Sequence, residues 1–380
     1  MKVLFIAGWF PNAGNYDGIF IREHALAVAQ KHQVAVIHGK EDTEQKERFR
    51  FDFNTENNLL ILRFTYRRSH FLSHYRHYVK GVLMAFERLT VRGFKPDIIH
   101  ACIYFTGIPA NIIKQKYNIP YVIREGYSGL PRHALRKTKI KKARIGMGNA
   151  EYILPVSYAL EKDILSFGIK GRFEVVPNTV PDFFCYNPGV QKNADNTKRI
   201  LCVARMHPCK NIPNLINACV ILLSHRKDFQ VNLVGEGEKI EEYRKSVRDA
   251  SLDSIFHFLG SKTKEEIASM MQGSAFSILP SKYEALPNVL IESVACGLPV
   301  VATRVGGIPE IIDDSNGILV ESDNSQALSE AMNWMLDNAD RYDRKSISLN
   351  ARKKYSYETI GAKITAIYEK ALTSYKQKMA

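Results

Sequence analysis

The stretch SKYEALPNVLIESVACGLPVVAT, residues 281–303, decides the fold class of this chain. Two glutamates, Glu284 and Glu292, stand eight positions apart within it. One continuous helix cannot hold both, because Pro287 would break its interior at a cost of ~3 kcal/mol. Proline is tolerated in the first turn of a helix, where its missing N–H has no intrahelical partner to lose. The stretch therefore divides at Pro287 into a loop and a helix.

The flanking segments complete a strand–loop–helix–strand unit. AFSILPS, before the loop, is short, apolar and aromatic, and LPVVAT is a second apolar run; both are typical of buried strands. NVLIESVACG between them has helical spacing and ends at Gly297, a usual stop. Glu284 then follows the carboxyl end of a strand, where open α/β sheets bind ligands, and the helix N-terminus there favours anions. The unit predicts a site for a ligand with phosphate and hydroxyl groups.

The same alternation of strands and helices continues along the chain. Predicted strands in the first half are KVLFIAG, QVAVIHG, LLILRFTY, DIIHAC, YVIREG, YILPVS and FEVVPN. Those in the second half are RILCVAR, QVNLVGEG, IFHFLG, AFSILPS, PVVAT and GILV. Strands that alternate with helices predict an α/β fold of parallel sheets covered by helices on both faces.

Length and composition predict two domains. A chain of 380 residues is too long to fold around a single small hydrophobic core. Residues 181–198 are rich in proline, asparagine and charged residues, which is typical of a linker. We expect two doubly wound Rossmann-like domains, residues 1–180 and 199–355, facing a cleft. A final helix over residues 356–380 is expected to pack back on the N-terminal domain.

The formal net charge of +14 is concentrated in the first half. Residues 1–190 carry 28 Lys/Arg and 16 Asp/Glu, whereas residues 191–380 carry 25 and 23. The basic residues cluster at 63–81 and 132–144, and each cluster is either a solvated helix face or a contact with an anionic partner. No nucleic-acid motif is present, so an anionic membrane surface or a phosphate-bearing acceptor is favoured over nucleic acid.

Several protein classes are disfavoured by what the sequence lacks. The six cysteines form no CxxC pair and no zinc spacing, which predicts free thiols in a reducing compartment. MKVLFIAGWFPNAG has a short apolar run without a small-residue cleavage site, which favours a buried strand over a signal peptide. No run of eighteen apolar residues occurs. A cytoplasmic protein is therefore expected.

Further candidate ligand residues follow other predicted strands. LCVARMHPCKNIPNLI places Arg205 and Lys210 at the entry to a helix, where they form either a diphosphate clamp or a surface pair. Gly235 in VGEGE belongs to half of a glycine fingerprint, which also fits a tight turn. FPNAGNYDGIF places Gly14 and Gly18 before a helix, where glycine permits close approach of a ligand or simply a tight loop.

Together these segments resemble the retaining, nucleotide-sugar-dependent glycosyltransferases of family 4, which have the GT-B fold of two Rossmann domains. The resemblance covers nearly the whole chain and is strongest over residues 199–320. It is carried by VARMHPCKN, LVGEGE, FLGSKTKEE, YEALPNVLIESVACGLPVVATRVGGIPEII and GILV. Weaker matches are DGIF, PDIIHAC, ILPVS and VVPNTV.

The resemblance implies a role for each donor-site residue. Glu292 would accept hydrogen bonds from the ribose hydroxyls, and Glu284 would orient the donor sugar. Arg205 and Lys210 would hold the diphosphate and stabilise the charge of the leaving group. The remaining donor contacts implied are the backbone near Leu286, Asn288 and Val289, together with Gly235 and Gly18. No metal and no other cofactor is expected, and the chain has no Asp-x-Asp motif.

The acceptor half departs from the family pattern. Gly126 stands where relatives often have a histidine, and Cys102 stands where they often have a second one. Asn211 and Thr179 replace the usual glycines of a lysine-glycine and an asparagine-glycine pair. The general base is therefore open. Candidate acceptor or base residues are Asp17, His100, Arg124 and Glu125, of which Asp17 and Glu125 could be the base.

The implied function is sugar transfer from a nucleotide diphosphate sugar, with UDP favoured and GDP possible. The acceptor would be a glycan or lipid-linked glycan in surface polysaccharide or lipopolysaccharide-type biosynthesis. The basic N-terminal domain would contact the inner face of the membrane peripherally. Alternatives are a nucleotide-sugar epimerase or phosphorylase of related fold, or a non-catalytic nucleotide-sugar binder, which turnover with a donor would exclude.

Overall fold

The structure is a computed structural model that describes residues 1–12, 17–67, 74–127, 129, 137–189 and 197–379. Gly14, parts of both basic clusters and residues 190–196 of the predicted linker lie outside the described residues. The chain divides into two compact units. Unit 1 comprises Met1–Thr179 and Tyr357–Ala380, and unit 2 comprises Val180–Ser356.

The strands are mostly the short apolar runs that the sequence predicts. They are β1 (Lys2–Ala7), β2 (Gln33–Glu41), β3 (Phe49–Glu56), β4 (Leu59–Tyr66), β5 (Ile98–Cys102), β6 (Tyr121–Glu125), β7 (Tyr152–Pro155), β8 (Lys198–Val203), β9 (Phe229–Val234), β10 (Phe256–Phe258), β11 (Phe276–Leu279), β12 (Val300–Thr303) and β13 (Gly317–Val320).

The helices connect these strands. They are α1 (Ile19–Ala29), α2 (His74–Val91), α3 (Gly107–Tyr117), α4 (Lys137–Gly148), α5 (Tyr158–Ser166), α6 (Ile212–Leu223), α7 (Ile240–Asp249), α8 (Lys264–Gln272), α9 (Asn288–Ala295), α10 (Ser325–Asn338), α11 (Arg344–Tyr355) and α12 (Tyr357–Met379). Within the described ranges, none of them combines the length and the apolarity that a membrane-spanning helix needs.

Unit 1 contains a seven-stranded sheet in the order β3-β4-β2-β1-β5-β6-β7. Its neighbours pair in parallel except β3 and β4, which are antiparallel. The central strands are buried along their length, as in β5, where every residue is buried. Parallel strands read as continuous apolar runs because helices cover both faces of the sheet.

Two strand predictions in unit 1 need correction. Strand β3, FRFDFNTE, was not predicted from the sequence because charged residues alternate with its aromatic residues. The guanidinium groups of Arg88 and Arg92 cover the rings of Phe51 and Phe53 at 3.9 and 3.6 Å. FEVVPN is not a strand and forms only an isolated bridge from Phe173 to Ile153. The N–H groups of Glu174 and Val176 donate to the carbonyls of Ile153 and Pro155 at 3.1 and 2.9 Å, but Pro155 has no N–H to donate in return, so no regular ladder forms.

The C-terminal helix α12 belongs to unit 1. Its Thr365 hydroxyl lies 2.9 Å from Nε2 of His32, and its Tyr368 hydroxyl lies 2.6 Å from Nδ1 of His100 in the core. The sequence predicted a helix over residues 356–380 that packs on the N-terminal domain, and these are contacts of that kind.

Unit 2 contains a six-stranded parallel sheet in the order β10-β9-β8-β11-β12-β13. The predicted strand–loop–helix–strand unit is confirmed as β11, α9 and β12. Pro287 is the N-cap of α9, and Gly297 follows its C-terminal end with a left-handed φ of 69°.

Part of the predicted linker packs within unit 2. Phe184 is fully buried, and the Cys185 carbonyl accepts a hydrogen bond from the Gln272 side chain at 3.0 Å. Asp182 forms an ion pair with Arg352 at 3.1 Å. The described residues of this segment are 181–189 and 197–198, and they belong to unit 2, in which Lys198 already begins β8.

Candidate active site

Apart from Gly18, which lies in unit 1, the predicted donor residues lie at one edge of the six-stranded sheet of unit 2. Because its strands are parallel, the loops after β8, β9 and β11 all emerge at their carboxyl ends. Lys210 ends a short 3₁₀ helix between β8 and α6, and Glu284 lies between β11 and α9. The structure therefore brings together side chains that are 74 positions apart in the sequence.

Lys210 and Glu284 form a close ion pair. The Lys210 ammonium donates to Oε1 of Glu284 at 2.5 Å, and the Ser281 hydroxyl donates to the same oxygen at 2.7 Å. Burial opposes the charged form of Lys210, but the adjacent Glu284 carboxylate outweighs it and raises the lysine pKa above its usual value. An ammonium has three N–H donors, so two remain for a ligand.

Gly306 of the VGGIPE segment shapes the loop that carries Glu284. Its φ is +51°, and a Cβ there would lie 1.7 Å from the Glu284 carbonyl oxygen. No side chain fits such an approach, and the left-handed backbone favours glycine. The hydroxyl of Thr303 also donates to the Ser281 carbonyl at 2.6 Å. These contacts hold the Glu284 loop against the end of β12.

Glu292 is held by a lysine that the sequence analysis did not single out. It lies within α9, and its Oε1 accepts a hydrogen bond from the Lys264 ammonium. Lys264 is the first residue of α8, directly after the N-cap Thr263, and its ammonium also lies 5.6 Å from the Phe184 ring. The sequence signal that could have identified Lys264 is its position in FLGSKTKEE. There α8 begins after a strand of the same parallel sheet, so its first residue lies at the same edge as the start of α9.

Arg205 and Gly235 lie in neighbouring loops of the same edge. The Arg205 side chain is exposed, and no side chain of the described residues is its hydrogen-bond or ion-pair partner. A Cβ at Gly235 would lie 2.1 Å from the Ala204 carbonyl oxygen, so a glycine is needed there for the two loops to pack. The packing of these two loops therefore requires glycine at position 235 whether or not a ligand binds there.

The N-terminus of α9 lies beside these loops. Leu286 is buried, whereas Asn288 and Val289 are half-buried at the first turn. Pro287 at the N-cap gives no side-chain hydrogen bond to this end of the helix. The partial positive charge of a helix N-terminus favours an anion at this position.

Asn211 explains one departure from the family pattern. Its φ of 54° and ψ of 40° are left-handed, the conformation that glycine favours and asparagine tolerates. Its side-chain amide donates to Asp323 at 3.0 Å, and Asp323 also pairs with Lys282 at 2.8 Å. The residue after Lys210 therefore keeps the backbone of a glycine while it adds a bond to a neighbouring loop.

Glu125, a candidate base in unit 1, binds backbone groups. Its fully buried carboxylate accepts hydrogen bonds from the N–H groups of Tyr104, Gly126 and Tyr127 at 2.8, 2.9 and 2.8 Å. Burial raises the pKa of Glu125 to about 7, although the three N–H groups act in the opposite direction. The residue joins the end of β6 to the loop after β5.

Arg124 is buried beside it and donates to the amide oxygen of Asn178. Among the residues that the structure describes, its Nε and Nη1 atoms have no hydrogen-bond partner. Burial lowers the pKa of Arg124 to about 10. A Cβ at Gly126 would lie 3.2 Å from its Nη1, so the glycine that replaces the family's histidine leaves room for this guanidinium.

The structure places His100 in the core of unit 1. Its ring stacks on Phe5 with 4.5 Å between centroids, and burial lowers its pKa to about 3. Cys102, on the same strand, is also fully buried. Neither side chain reaches the surface of unit 1.

Asp17 is the exposed member of the four acceptor or base candidates. It precedes Gly18, the N-cap of α1, whose φ is +81° and whose missing Cβ would lie 2.4 Å from the Trp9 carbonyl carbon. Asp17 also lines a cavity of unit 1 together with Trp9. The two base candidates therefore differ: Asp17 faces a space that a ligand can enter, and Glu125 does not.

Comparison with protein families assigns both halves of the chain. Residues 187–354 match the family described as "Glycosyl transferases group 1", and residues 18–182 match the family described as "Glycosyltransferase Family 4". An uncharacterized glycosyltransferase of Methanocaldococcus jannaschii is 31% identical over 282 residues, covering 72% of this chain and 75% of the relative.

Two further comparisons concern proteins with more informative names. The amylovoran biosynthesis glycosyltransferase AmsK of Erwinia amylovora is 28% identical over 260 residues, covering 66% of this chain and 64% of the relative. The structure of Anabaena HepE in complex with UDP and glucose superposes with a TM-score of 0.76 at 19% identity, covering 97% of this chain and 100% of that chain. At this identity the likeness shows a shared fold.

Proposed function

The chain belongs to glycosyltransferase family 4 and has the GT-B fold, and we propose that it transfers a sugar with retention of anomeric configuration. The proposed donor is a UDP-sugar in preference to a GDP-sugar. The proposed acceptor is a glycan or lipid-linked glycan of surface polysaccharide or lipopolysaccharide-type biosynthesis. The names of AmsK and of the HepE complex support these choices.

One observation carries the donor site. Two carboxylates eight residues apart each accept a hydrogen bond from a lysine at the same edge of the unit 2 sheet. A carboxylate offers about four acceptor positions, so Glu292 can bind Lys264 and still receive two ribose hydroxyls. Lys210 and the exposed Arg205 are the cations for the diphosphate, and Glu284, paired with Lys210, orients the sugar.

The reaction needs no enzyme nucleophile in this proposal. An acceptor hydroxyl attacks the anomeric carbon on the face that the diphosphate leaves, a carbon–oxygen bond forms, and the glycosidic bond to the diphosphate breaks. The hydroxyl proton passes to the departing diphosphate oxygen. Lys210 and Arg205 stabilise the charge that develops on that oxygen, which is the task that a metal ion performs in other transferases.

Unit 1 is proposed to hold the acceptor and to contact an anionic membrane surface. Helix α4 has the basic side chains Lys137, Lys141 and Arg144 on its exposed face and no acidic residue. Clustered lysines attract anionic lipid headgroups by about 1 kcal/mol each, and salt screens this attraction. Protein found with membranes at low salt should leave the membrane pellet at high salt.

Slow donor hydrolysis tests the proposal without knowledge of the acceptor. Purified protein is incubated with UDP-glucose, UDP-galactose or GDP-mannose, and nucleotide release and the anomeric signals of the freed sugar are followed by NMR. We expect release from a UDP-sugar with the configuration of the donor, unchanged by EDTA. A freed sugar with the anomeric configuration opposite to that of the donor would overturn retention. Loss of activity in EDTA would overturn metal independence. Absence of turnover with every donor would favour a non-catalytic binder.

A further inference from the structure

The cysteines of the chain differ in whether a reagent in solution can reach them. All six lie within the described residues, and the buried ones are Cys102, Cys202, Cys219 and Cys296. Burial raises the pKa of Cys102 and Cys202 to about 12. A cysteine reacts as its thiolate, so thiols buried in this way are inert. Cys185 and Cys209 are half-buried, and both belong to unit 2.

The Cys209 sulfur lies beside an imidazole. Nδ1 of His207 is 3.0 Å from the Cys209 sulfur and accepts a hydrogen bond from the Cys209 backbone N–H at 3.1 Å. A ring nitrogen that accepts has a lone pair, so Nδ1 can also take the thiol proton. The neutral ring then carries its proton on Nε2, which is 3.9 Å from Oε1 of the exposed Glu238. Nucleophile, base and orienting carboxylate stand in the order that activates a cysteine.

A lysine ammonium favours the same thiolate. Cys209 directly precedes Lys210, and the two groups interact electrostatically. Burial opposes the charged form of Lys210, while Glu284 and, after it, Cys209 raise the lysine pKa. The interaction is reciprocal, so the ammonium stabilises a negative charge on the Cys209 sulfur. Among the described residues, Cys185 has no imidazole partner, and its carbonyl accepts from the Gln272 side chain.

The position of Cys209 connects it with the proposed diphosphate site. Its carbonyl accepts a hydrogen bond from the Lys282 N–H at 2.8 Å, which joins its loop to the loop of Glu284. The next residue, Lys210, pairs with the Glu284 carboxylate. A bulky group on the Cys209 sulfur would therefore stand between these loops, beside a cation proposed to bind the diphosphate.

We propose that Cys209 is a modification site at which a small disulfide of the glutathione type forms a mixed disulfide, and that the attached group blocks nucleotide binding. This inference rests on the proposed function, because it concerns regulation of the same donor site. It assigns Cys209 a reactivity that Cys185 lacks, although both thiols are half-buried.

The reaction is a thiol–disulfide exchange. The thiol proton passes to Nδ1 of His207, and the Cys209 sulfur attacks one sulfur of oxidised glutathione. A bond forms between these sulfurs, the disulfide bond of oxidised glutathione breaks, and the departing glutathione thiolate takes the electron pair and then the proton from His207. Cys209 is oxidised and the released glutathione is reduced, and excess thiol reverses the step.

The rate of modification at each cysteine tests the site directly. Purified protein is incubated with oxidised glutathione near pH 7, and the added mass on each cysteine peptide is followed by mass spectrometry. Cys209 should react at least about tenfold faster than Cys185, because its imidazole and ammonium neighbours favour the thiolate. Modification of Cys185 at an equal or higher rate would overturn the inference.

His207→Asn separates the base from a merely structural role. Asparagine is a good N-cap and keeps an oxygen for the Cys209 N–H, but it takes up no proton. The rate at Cys209 should fall about tenfold near pH 7 and return to the parent rate near pH 10, where the thiol ionises without a base. A fall of equal size at both pH values would overturn the role of His207 as base.

UDP affinity, measured by calorimetry, tests the consequence for the donor site. After treatment with oxidised glutathione, the parent chain and Cys185→Ser should bind UDP at least about tenfold more weakly, and dithiothreitol should restore both. Cys209→Ser should keep its UDP affinity within about twofold under the same treatment. Unchanged UDP affinity of the parent with Cys209 modified would overturn the proposed block. Absence of UDP binding before treatment would instead contradict the proposed function, and the mass measurement would still decide the modification site.

Discussion

The two sheets use charged side chains at their carboxyl edges in opposite ways. In unit 2, Glu284 and Glu292 each accept from a lysine ammonium, and the Arg205 side chain is exposed. In unit 1, the buried Glu125 carboxylate accepts from three backbone N–H groups of the described residues, and Arg124 is buried beside it. The exposed Arg205 of unit 2 is thus accessible to a ligand, whereas the Glu125 carboxylate at the end of β6 holds neighbouring loops in place.

The difference assigns separate tasks to the units. In the proposed reaction cations contact the diphosphate leaving group, and unit 2 has Lys210 and the exposed Arg205 at the carboxyl edge of its sheet. The described cavity of unit 1 is walled largely by aromatic rings, and the charged side chains among its described lining residues are Lys40, Lys139, Lys142, Asp17 and Glu41.

Removing a unit 2 cation should have the largest effect. Lys210→Met takes away a positive charge that stabilises the leaving diphosphate, and kcat should fall ~10²–10³-fold. Lys239→Met, which breaks an exposed pair with Glu242 in the same unit, should leave kcat unchanged. Steady-state kinetics with the active donor measure both. A change confined to KM would show that Lys210 binds the donor and the transition state equally.

Glu125→Gln should lower the stability of unit 1 and leave kcat unchanged. The amide replaces one of two oxygens that together accept three buried N–H groups, so unfolding free energy should fall by about 2–3 kcal/mol. Glu174→Gln, at a half-exposed pair with Lys370, is the control. Urea unfolding and kcat decide the matter: a large loss of kcat at unchanged stability would make Glu125 the base.

Acid should weaken unit 1 through His100. The folded pKa is about 3, below the unfolded value near 6.5, so the unfolded chain binds a proton that the folded chain excludes as pH falls between these values. From pH 7 to pH 5 this residue removes about 2 kcal/mol of stability. His100→Gln should therefore lose about 2 kcal/mol less than its parent over that interval.

The measurement is urea unfolding followed by Trp9 emission in the Trp334→Phe background. The raised pKa of Glu125 acts in the opposite sense, favouring the folded state as pH falls through about 7, but it is present in parent and variant and cancels in their difference. Parallel pH profiles for the two proteins would show that His100 takes up protons in the folded state.

Lys264→Met tests the smaller, positioning role in unit 2. Without Lys264, Glu292 is no longer fixed for the ribose hydroxyls, and UDP affinity should fall about tenfold. 2′,3′-Dideoxyuridine diphosphate lacks those hydroxyls and should lose less than threefold, as measured by calorimetry. Lys262→Met removes an exposed partner of Glu266 from the same segment and should change neither. Equal loss for both nucleotides would assign Lys264 a merely structural role.

The two units also differ in how much of their candidate sites could be predicted from the sequence. In unit 2, apolar runs and Pro287 fix strand ends and a helix start, so Arg205, Lys210, Glu284 and Glu292 fall at one edge. The partner lysine of Glu292 was missed, because no local pattern relates the first residue of α8 to a side chain of α9. Sequence spacing places elements, but pairing between elements depends on how they pack.

Unit 1 was harder to predict for a physical reason. Both faces of a parallel strand are covered, so YVIREG does not show that Arg124 and Glu125 are buried rather than presented to a ligand. The cavity residues come from separate loops and helices and share no spacing. Its aromatic side chains, such as Trp9 and Tyr78, are equally compatible with core packing until the fold is known.

The most direct test of the donor site is thermal unfolding with UDP, GDP, ADP and CMP, for the parent chain and Glu292→Ala. A ligand at a hundred times its Kd adds about 2.7 kcal/mol of stability, which is easily seen. We predict that UDP raises the melting temperature of the parent and that Glu292→Ala abolishes the rise. Stabilisation by UDP that persists in Glu292→Ala, or no stabilisation of the parent by any nucleotide, would contradict the account.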